Sequence, residues 1–242
     1  MYVASWSGGK DSTASIILAH ENNEPIDLII FVEVMFDKDI SGELPEHIEF
    51  IHKCKAEFEK WGYPVKILRS DKTYMDCFYH TIVRGKHKGM KKGFAMQNHC
   101  DVQRDCKLKP IREFNKENPD AIHYIGIAID EPKRLERLND KTISLLAKYN
   151  MTEADARDLC EAYEMLSPWY KFTNRGGCWF CPNVNDRALK FLRKHHRELW
   201  DRLLELEDVP NKAGYCWRTY TGVSLKDKEA QFQEEELQIS IF

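Results

Sequence analysis

A short apolar run, Tyr2-Val3-Ala4-Ser5-Trp6, leads directly into Ser7-Gly8-Gly9-Lys10-Asp11-Ser12 and then into the apolar-periodic stretch Thr13–His20. Strand, glycine turn and helix in that order commit the chain to an α/β beginning. Such a turn aims successive backbone N–H groups, and the positive end of the helix, at one small volume suited to an anionic oxygen cluster. Gly8 and Gly9 let the backbone approach the anion closely, Lys10 adds a mobile charge, and Ser7 and Ser12 add hydroxyl donors. Asp11 makes sense beside a phosphate where it holds Mg²⁺ or orients a donor. The string is not the Walker loop, which places four residues between its glycines and a Lys-Ser/Thr after the second.

The segments that follow extend the same pattern. Asp27–Val34 is a near-continuous apolar run with β-branched residues, the mark of a strand buried on both faces. Pro45–Trp61 reads as a helix ended by Gly62, and Pro64–Leu68 and Ala121–Ile129 read as further strands. This β-α-β-α-β alternation predicts an α/β fold with a doubly wound parallel sheet and right-handed crossovers. Ligands of such sheets sit beyond the C-terminal strand ends. Ser7–Ser12, Glu33–Asp37 and Gly126–Arg137 are therefore expected to converge. Ser7, Gly8, Gly9, Lys10, Asp11, Ser12, Glu33, Gly126 and Asp130 are the candidates for nucleotide contact, and Lys10, Asp11 and Arg134 for catalysis. The acidic pair Asp130 and Glu131, with Arg134 and Arg137, suits substrate or metal positioning, or else a surface ion-paired helix start.

The expected division is a nucleotide-binding domain over residues 1–140 and a helical, cysteine-bearing C-terminal region over 141–242. Thr152-Glu-Ala-Asp155 is a helix start with Thr152 as cap. Asp186–Glu207 reads as one long helix with Leu189, Leu192, Leu199, Leu203 and Leu206 on its apolar side. Its Arg187, Lys190, Arg193, Lys194 and Arg197 form an expected solvated face that RNA or DNA could use. Asp227–Gln238 reads as a frayed helix or tail, and the basic, glycine-punctuated Arg84–Gly93 as a mobile loop, a lid or a nucleic-acid contact.

With a formal net charge of -3 over 242 residues, any nucleic-acid binding must come from such local patches. No apolar stretch approaches the ~18 residues of a membrane span, and the N-terminus reads as a strand rather than a signal peptide. The expectation is a cytoplasmic protein without membrane contact.

Eight cysteines then point to metal or redox chemistry more than to a disulfide framework. Cys178-Trp-Phe-Cys181 follows Gly176-Gly177, and Cys100 and Cys106 form a second pair. Four thiolates from Cys100, Cys106, Cys178 and Cys181 suit either Zn²⁺ or a [4Fe–4S] cluster. Cys54, Cys77 and Cys160 read as buried structural thiols, and Cys216, between Tyr215 and Trp217, as an alternative ligand.

Taken in order, these motifs resemble the phosphoadenylylsulfate (PAPS) reductase-like family of the PP-loop ATP pyrophosphatase superfamily. The matching stretches are Ser7–Ser12, Glu43-Leu-Pro-Glu46-His-Ile-Glu-Phe-Ile51, Cys106-Lys-Leu-Lys109-Pro110 and Gly126-Ile-Ala-Ile-Asp130-Glu131-Pro-Lys-Arg134. Thr152–Asp155 and Arg175-Gly-Gly-Cys178-Trp-Phe-Cys181-Pro182 complete them. The resemblance implies an adenine nucleotide alpha hydrolase-like fold with ATP and Mg²⁺ at the phosphate loop.

Three departures bear on the reaction. The phosphate loop is intact where the sulfate-activating reductases usually alter it, Ala128 stands at a position normally Arg, and Gln238–Phe242 carries no cysteine. The expected activity is cleavage of ATP to AMP and pyrophosphate. It would adenylate an acceptor, such as a nucleobase or nucleic acid, for sulfur or nitrogen transfer. The alternatives are a reductase of adenylylated sulfate using Cys216, and a nucleotide-binding adaptor without turnover that docks through Arg84–Lys92 and Arg187–Arg197.

Overall fold

The computed structural model describes residues 1–95, 100–173 and 176–239. In chain order the elements begin with β1 (Tyr2–Trp6), α1 (Lys10–Glu21), β2 (Leu28–Glu33), α2 (Pro45–Lys60), β3 (Val65–Arg69), α3 (Tyr74–Tyr79) and β4 (Lys91–Gly93). A π-helical turn, Gln103–Leu108, runs into α4 (Lys109–Glu117). Then come β5 (Ile122–Ile125), α5 (Pro132–Leu135), β6 (Thr142–Ile143), α6 (Leu145–Lys148), α7 (Glu153–Ala162) and a 3₁₀ turn, Pro168–Lys171. The last elements are α8 (Asp186–His195), α9 (Arg197–Glu207), β7 (Lys212–Gly214) and α10 (Leu225–Ile239). No described helix is long and apolar enough to cross a membrane.

The chain forms two compact units interleaved in sequence. One comprises Met1–Glu33, Glu43–Arg69 and Lys107–Gly176; the other comprises Val34–Gly42, Ser70–Cys106 and Gly177–Phe242. The expected cut at residue 140 falls inside the first unit. The second draws on two excursions that leave the sheet after β2 and after β3, so the chain does not separate into an N-terminal and a C-terminal half.

In the first unit, five parallel strands run in the order β3-β2-β1-β5-β6, the α/β sheet anticipated from the alternation. The two-residue periodicity of each strand feeds two separate cores. Ala4, Trp6, Ile29 and Phe31 pack with apolar residues of α1, α2, α6 and α7, while Val3 and Ile30 pack with Phe114 of α4. Helices therefore cover both faces of the sheet. The strand read as Ala121–Ile129 is shorter than expected, because Gly126 abuts the Asp11–Ser12 peptide and the chain must leave the sheet there.

In the second unit, β4 and β7 make a small parallel pair that local reading does not announce. The single helix expected over 186–207 breaks at His196, whose φ of -133° and ψ of 58° are not helical. The expected tail is the helix α10, with Phe232 only 1% exposed. Its acidic residues take up the basic face of α8 and α9: Arg193 Nε lies 2.9 Å from Glu229 Oε2, Arg197 NH1 lies 3.2 Å from Glu229 Oε1, and Lys190 pairs with Glu235. Three of the five basic residues of that face, Lys190, Arg193 and Arg197, are thus ion-paired within the protein.

Candidate functional site

The phosphate-loop candidates meet where β1 turns into α1. Gly8 has φ of +71°, and a Cβ there would lie 2.6 Å from Ile51 Cδ1 and 2.7 Å from His47 Nε2. Glycine is thus required at this position by conformation and by space. Ser12 braces the turn from inside: its hydroxyl donates to the Gly9 carbonyl at 3.0 Å and accepts the Ser7 N–H at 3.1 Å. Gly9 is the N-cap of α1 and makes no side-chain cap bond, so the helix start is built from backbone alone. Beneath it lies Gly126 at the end of β5, where a Cβ would come within 2.5 Å of both Asp11 C and Ser12 N.

A charged group surrounds this helix start. Lys10 Nζ pairs with Asp11 Oδ1 at 2.6 Å and with Glu153 Oε2 at 2.9 Å. Burial lowers the affinity of Lys10 for its proton, but the hydrogen bonds to Asp11 and Glu153 outweigh it and hold the ammonium above the ordinary lysine range. Burial, with Glu153 and Glu131 nearby, raises the Asp11 carboxyl despite Lys10. The Lys10 backbone N–H donates to the Tyr170 hydroxyl at 3.0 Å, and Cys160 donates to the Lys10 carbonyl at 3.2 Å. Cys160 is therefore a structural thiol, pushed up to about 12 mainly by burial, and Cys54 is likewise pushed up to about 12 by burial.

The remaining candidates lie on the same C-terminal edge of the parallel sheet, engaged in particular contacts. Asp130 Oδ1 accepts the first N–H of α7, from Glu153, at 3.1 Å. Arg134 NH1 pairs with Glu131 at 2.6 Å, the ion-paired helix start anticipated as one reading of this segment. Glu33, at the end of β2, is buried against Arg69 of β3, with 2.6 Å from NH2 to Oε2.

Sequence reading missed three contributors. His47 is buried beside Gly8 and shares a 2.8 Å hydrogen bond between Nδ1 and the Ser167 hydroxyl. Burial favours its neutral form, reinforced by Lys107 and opposed by Glu43. His47 did carry a signal, since it lies inside the Pro-Glu-His stretch of the second motif. Tyr170 and Ser167 carried none, because their partners are more than a hundred residues away.

The expected thiols lie near one another in the second unit, Cys178 beside Cys106 and Cys181 beside Cys100. Among the described residues, no three His, Cys, Asp or Glu side chains are placed to hold a metal ion. Cys178 and Cys181 share a turn, with Cys181 N–H on the Cys178 carbonyl at 3.0 Å, fixed by Trp179 N–H on the Gly42 carbonyl at 2.9 Å. The Cys100 sulfur accepts the Gln103 N–H at 3.3 Å. Cys77 is buried, as expected, and its sulfur lies 3.8 Å from that of Cys106. The bond shared with Cys106 favours the Cys77 thiolate, while Cys106 is pushed up. Cys216 is buried and its thiol raised by burial, which ill suits a nucleophile. Arg175, within the last family-like motif, lies outside the described residues.

A glycine turn into a helix start at the C-terminal edge of a parallel sheet with helices on both faces defines an α/β protein whose turn suits an anionic ligand. A family model, the phosphoadenosine phosphosulfate reductase domain, matches residues 1–150. The chain belongs to that family, whose members are generally enzymes acting on nucleotide substrates. No curated protein matches the chain.

Proposed function

We propose that the protein binds Mg-ATP with its phosphates on Ser7–Ser12, cleaves it between the α and β phosphates, and transfers AMP to an acceptor oxygen that sulfur or nitrogen then displaces. The observation that carries this reading is the intact, glycine-dependent loop, with Gly8 held by His47 and Ile51 and Gly126 set under the helix start. A loop this closely supported presents preorganised backbone donors to a polyphosphate. Lys10, already charged and beside the helix N-terminus, would stabilise the charge that builds on departing pyrophosphate. Mg²⁺ is commonly held by one or two carboxylates together with substrate phosphates, and Asp11, beside the helix start, would be the carboxylate to hold it. When bound, Mg²⁺ supplies charge neutralisation on the phosphates. On nucleotide entry, Lys10 would exchange Glu153 for phosphate oxygens, and Tyr170 would give up the Lys10 N–H.

The test is release of AMP and pyrophosphate from Mg-ATP in the presence of candidate acceptors, such as nucleosides and tRNA. Lys10→Ala is expected to lower this release by about 10²-fold or more, the usual cost of removing one transition-state charge donor. Release that survives Lys10→Ala unchanged would place the chemistry elsewhere.

A further inference from the structure

Residues 84–92 hold five Lys and Arg side chains and no carboxylate, in a chain whose formal net charge is -3. Read from sequence as a mobile loop, a lid or a nucleic-acid contact, they form a hairpin within the second unit. The Ile82 N–H donates to the Met90 carbonyl at 2.9 Å, and the Gly89 N–H donates to the Ile82 carbonyl at 2.8 Å. Thr81 and Lys91 close its base as an antiparallel bridge. Gly85 and Gly89 turn the chain at φ of +81° and +84°, which glycine adopts without strain. Asn211, just before β7, fastens one side: its carbonyl accepts the Lys91 N–H at 2.8 Å, and its side-chain amide donates to the Gly89 carbonyl at 3.2 Å.

The charges on this hairpin are uncompensated. Lys92 pairs with Asp101 at 2.5 Å, but Arg84, Lys86, Lys88 and Lys91 have no carboxylate partner among the described residues. In the same unit Lys190 and Arg193 of α8 are answered by acidic residues of α10. Four like charges on one short hairpin repel one another, and a polyanion is the partner that turns this repulsion into attraction. Aromatic rings flank the cations. Tyr79, two residues before the hairpin, is 43% exposed, with the Lys91 ammonium 5.7 Å from its ring centre. Tyr215, the residue after β7, is 56% exposed and donates its hydroxyl to the Thr219 carbonyl at 3.3 Å. Strand β7 pairs with β4, which begins at Lys91, so the small sheet joins this ring to the hairpin. Cations beside exposed rings match a single strand, whose bases stack while its phosphates meet the charges. A lipid surface fits less well, because Val83 is the hairpin's one exposed large hydrophobic residue and stable anchoring needs more apolar area beside a basic patch.

We propose that the hairpin 81–91, with Tyr79 and Tyr215, is a binding surface for single-stranded nucleic acid. Arg84, Lys86, Lys88 and Lys91 meet phosphates, and the two tyrosines stack on bases. The surface stands independently of the ATP reading, and Lys10→Ala is expected to leave it unchanged.

The experiment is fluorescence anisotropy of a labelled single-stranded RNA oligonucleotide with the full-length protein, without ATP, over a series of salt concentrations. Wild type is expected to bind with a log–log salt slope of about -3, the release of counterions by four phosphate contacts. The combined variant Arg84→Ala, Lys86→Ala, Lys88→Ala, Lys91→Ala should weaken binding at low salt by about 10²-fold or more and flatten the slope. Lys86→Glu, a single exposed change, should weaken it in the same direction even where the combined variant misfolds. Tyr79→Ala and Tyr215→Ala are each expected to weaken binding about 5-fold or more with the slope unchanged, and the phenylalanine variants to retain it. Duplex RNA of the same sequence should bind more weakly, its bases being paired and stacked. A DNA strand of the same sequence shows which sugar is taken, and binding of either strand meets the proposal. Equal binding by wild type and the charge variants would overturn it. So would tyrosine-to-alanine variants that bind as wild type does, or capture on anionic lipid vesicles with no binding to either strand.

Discussion

At Gly8 two independent demands fall on one atom. A φ of +71° disfavours any L side chain, and a methyl group would collide with Ile51 and His47. Gly8→Ala is expected to cost about 2–3 kcal/mol in chemical denaturation, combining left-handed strain with overpacking, and to abolish nucleotide binding. Gly176→Ala, which meets nothing within 4 Å, should stay within about 0.5 kcal/mol of wild type in the same measurement. Much at this scale was legible in the sequence, because Ser7–Ser12 are contiguous and each type has one evident use. Tyr170 and Ser167 were not, since hydrogen bonds to distant residues leave no local pattern. The cysteines were only partly legible. Spacing pointed to Cys100, Cys106, Cys178 and Cys181 but gave no sign of Cys77, a helix residue that the fold brings against Cys106.

The same division runs through the elements. Strands buried on both faces and the Thr152 capping box announced themselves, because propensity, periodicity and capping agree locally. The break at His196 did not, since neither glycine nor proline marks it and the leucine spacing continues through. Helix α10 was obscured for a related reason. Its docking rests on two buried apolar residues, Leu225 and Phe232, and on ion pairs with residues of α8 and α9 some thirty to forty-five positions away. Glu229 is central to it. Burial opposes its ionisation, but hydrogen bonds from Arg193, Trp200, Gln233 and Arg197 prevail and hold it at about 2. A carboxylate depressed below its usual 4.5 contributes stability that is present above that pH and is lost as the pH falls through about 2. The difference in melting temperature between wild type and Glu229→Gln should therefore be constant above pH 4.5 and close as the pH approaches 2. A gap that persists at the acid end would show that the carboxylate charge does not hold α10.

For the whole molecule, the order of strands and helices specified the sheet, yet it did not specify how the chain is partitioned. A linear reading divides a chain at one point. Here the second unit is assembled from two excursions, after β2 and after β3, together with the last sixty-six residues, Gly177–Phe242. The first unit carries the nucleotide-binding reading as a self-contained sheet with its phosphate loop, and the central claim belongs to it. The most direct test is paired calorimetric titration of the intact protein with Mg-ATP and with phosphoadenylylsulfate, on wild type and on Lys10→Ala. Preference for Mg-ATP, lost in Lys10→Ala, is the predicted result. Preference for phosphoadenylylsulfate, or Mg-ATP binding indifferent to Lys10, would contradict the account.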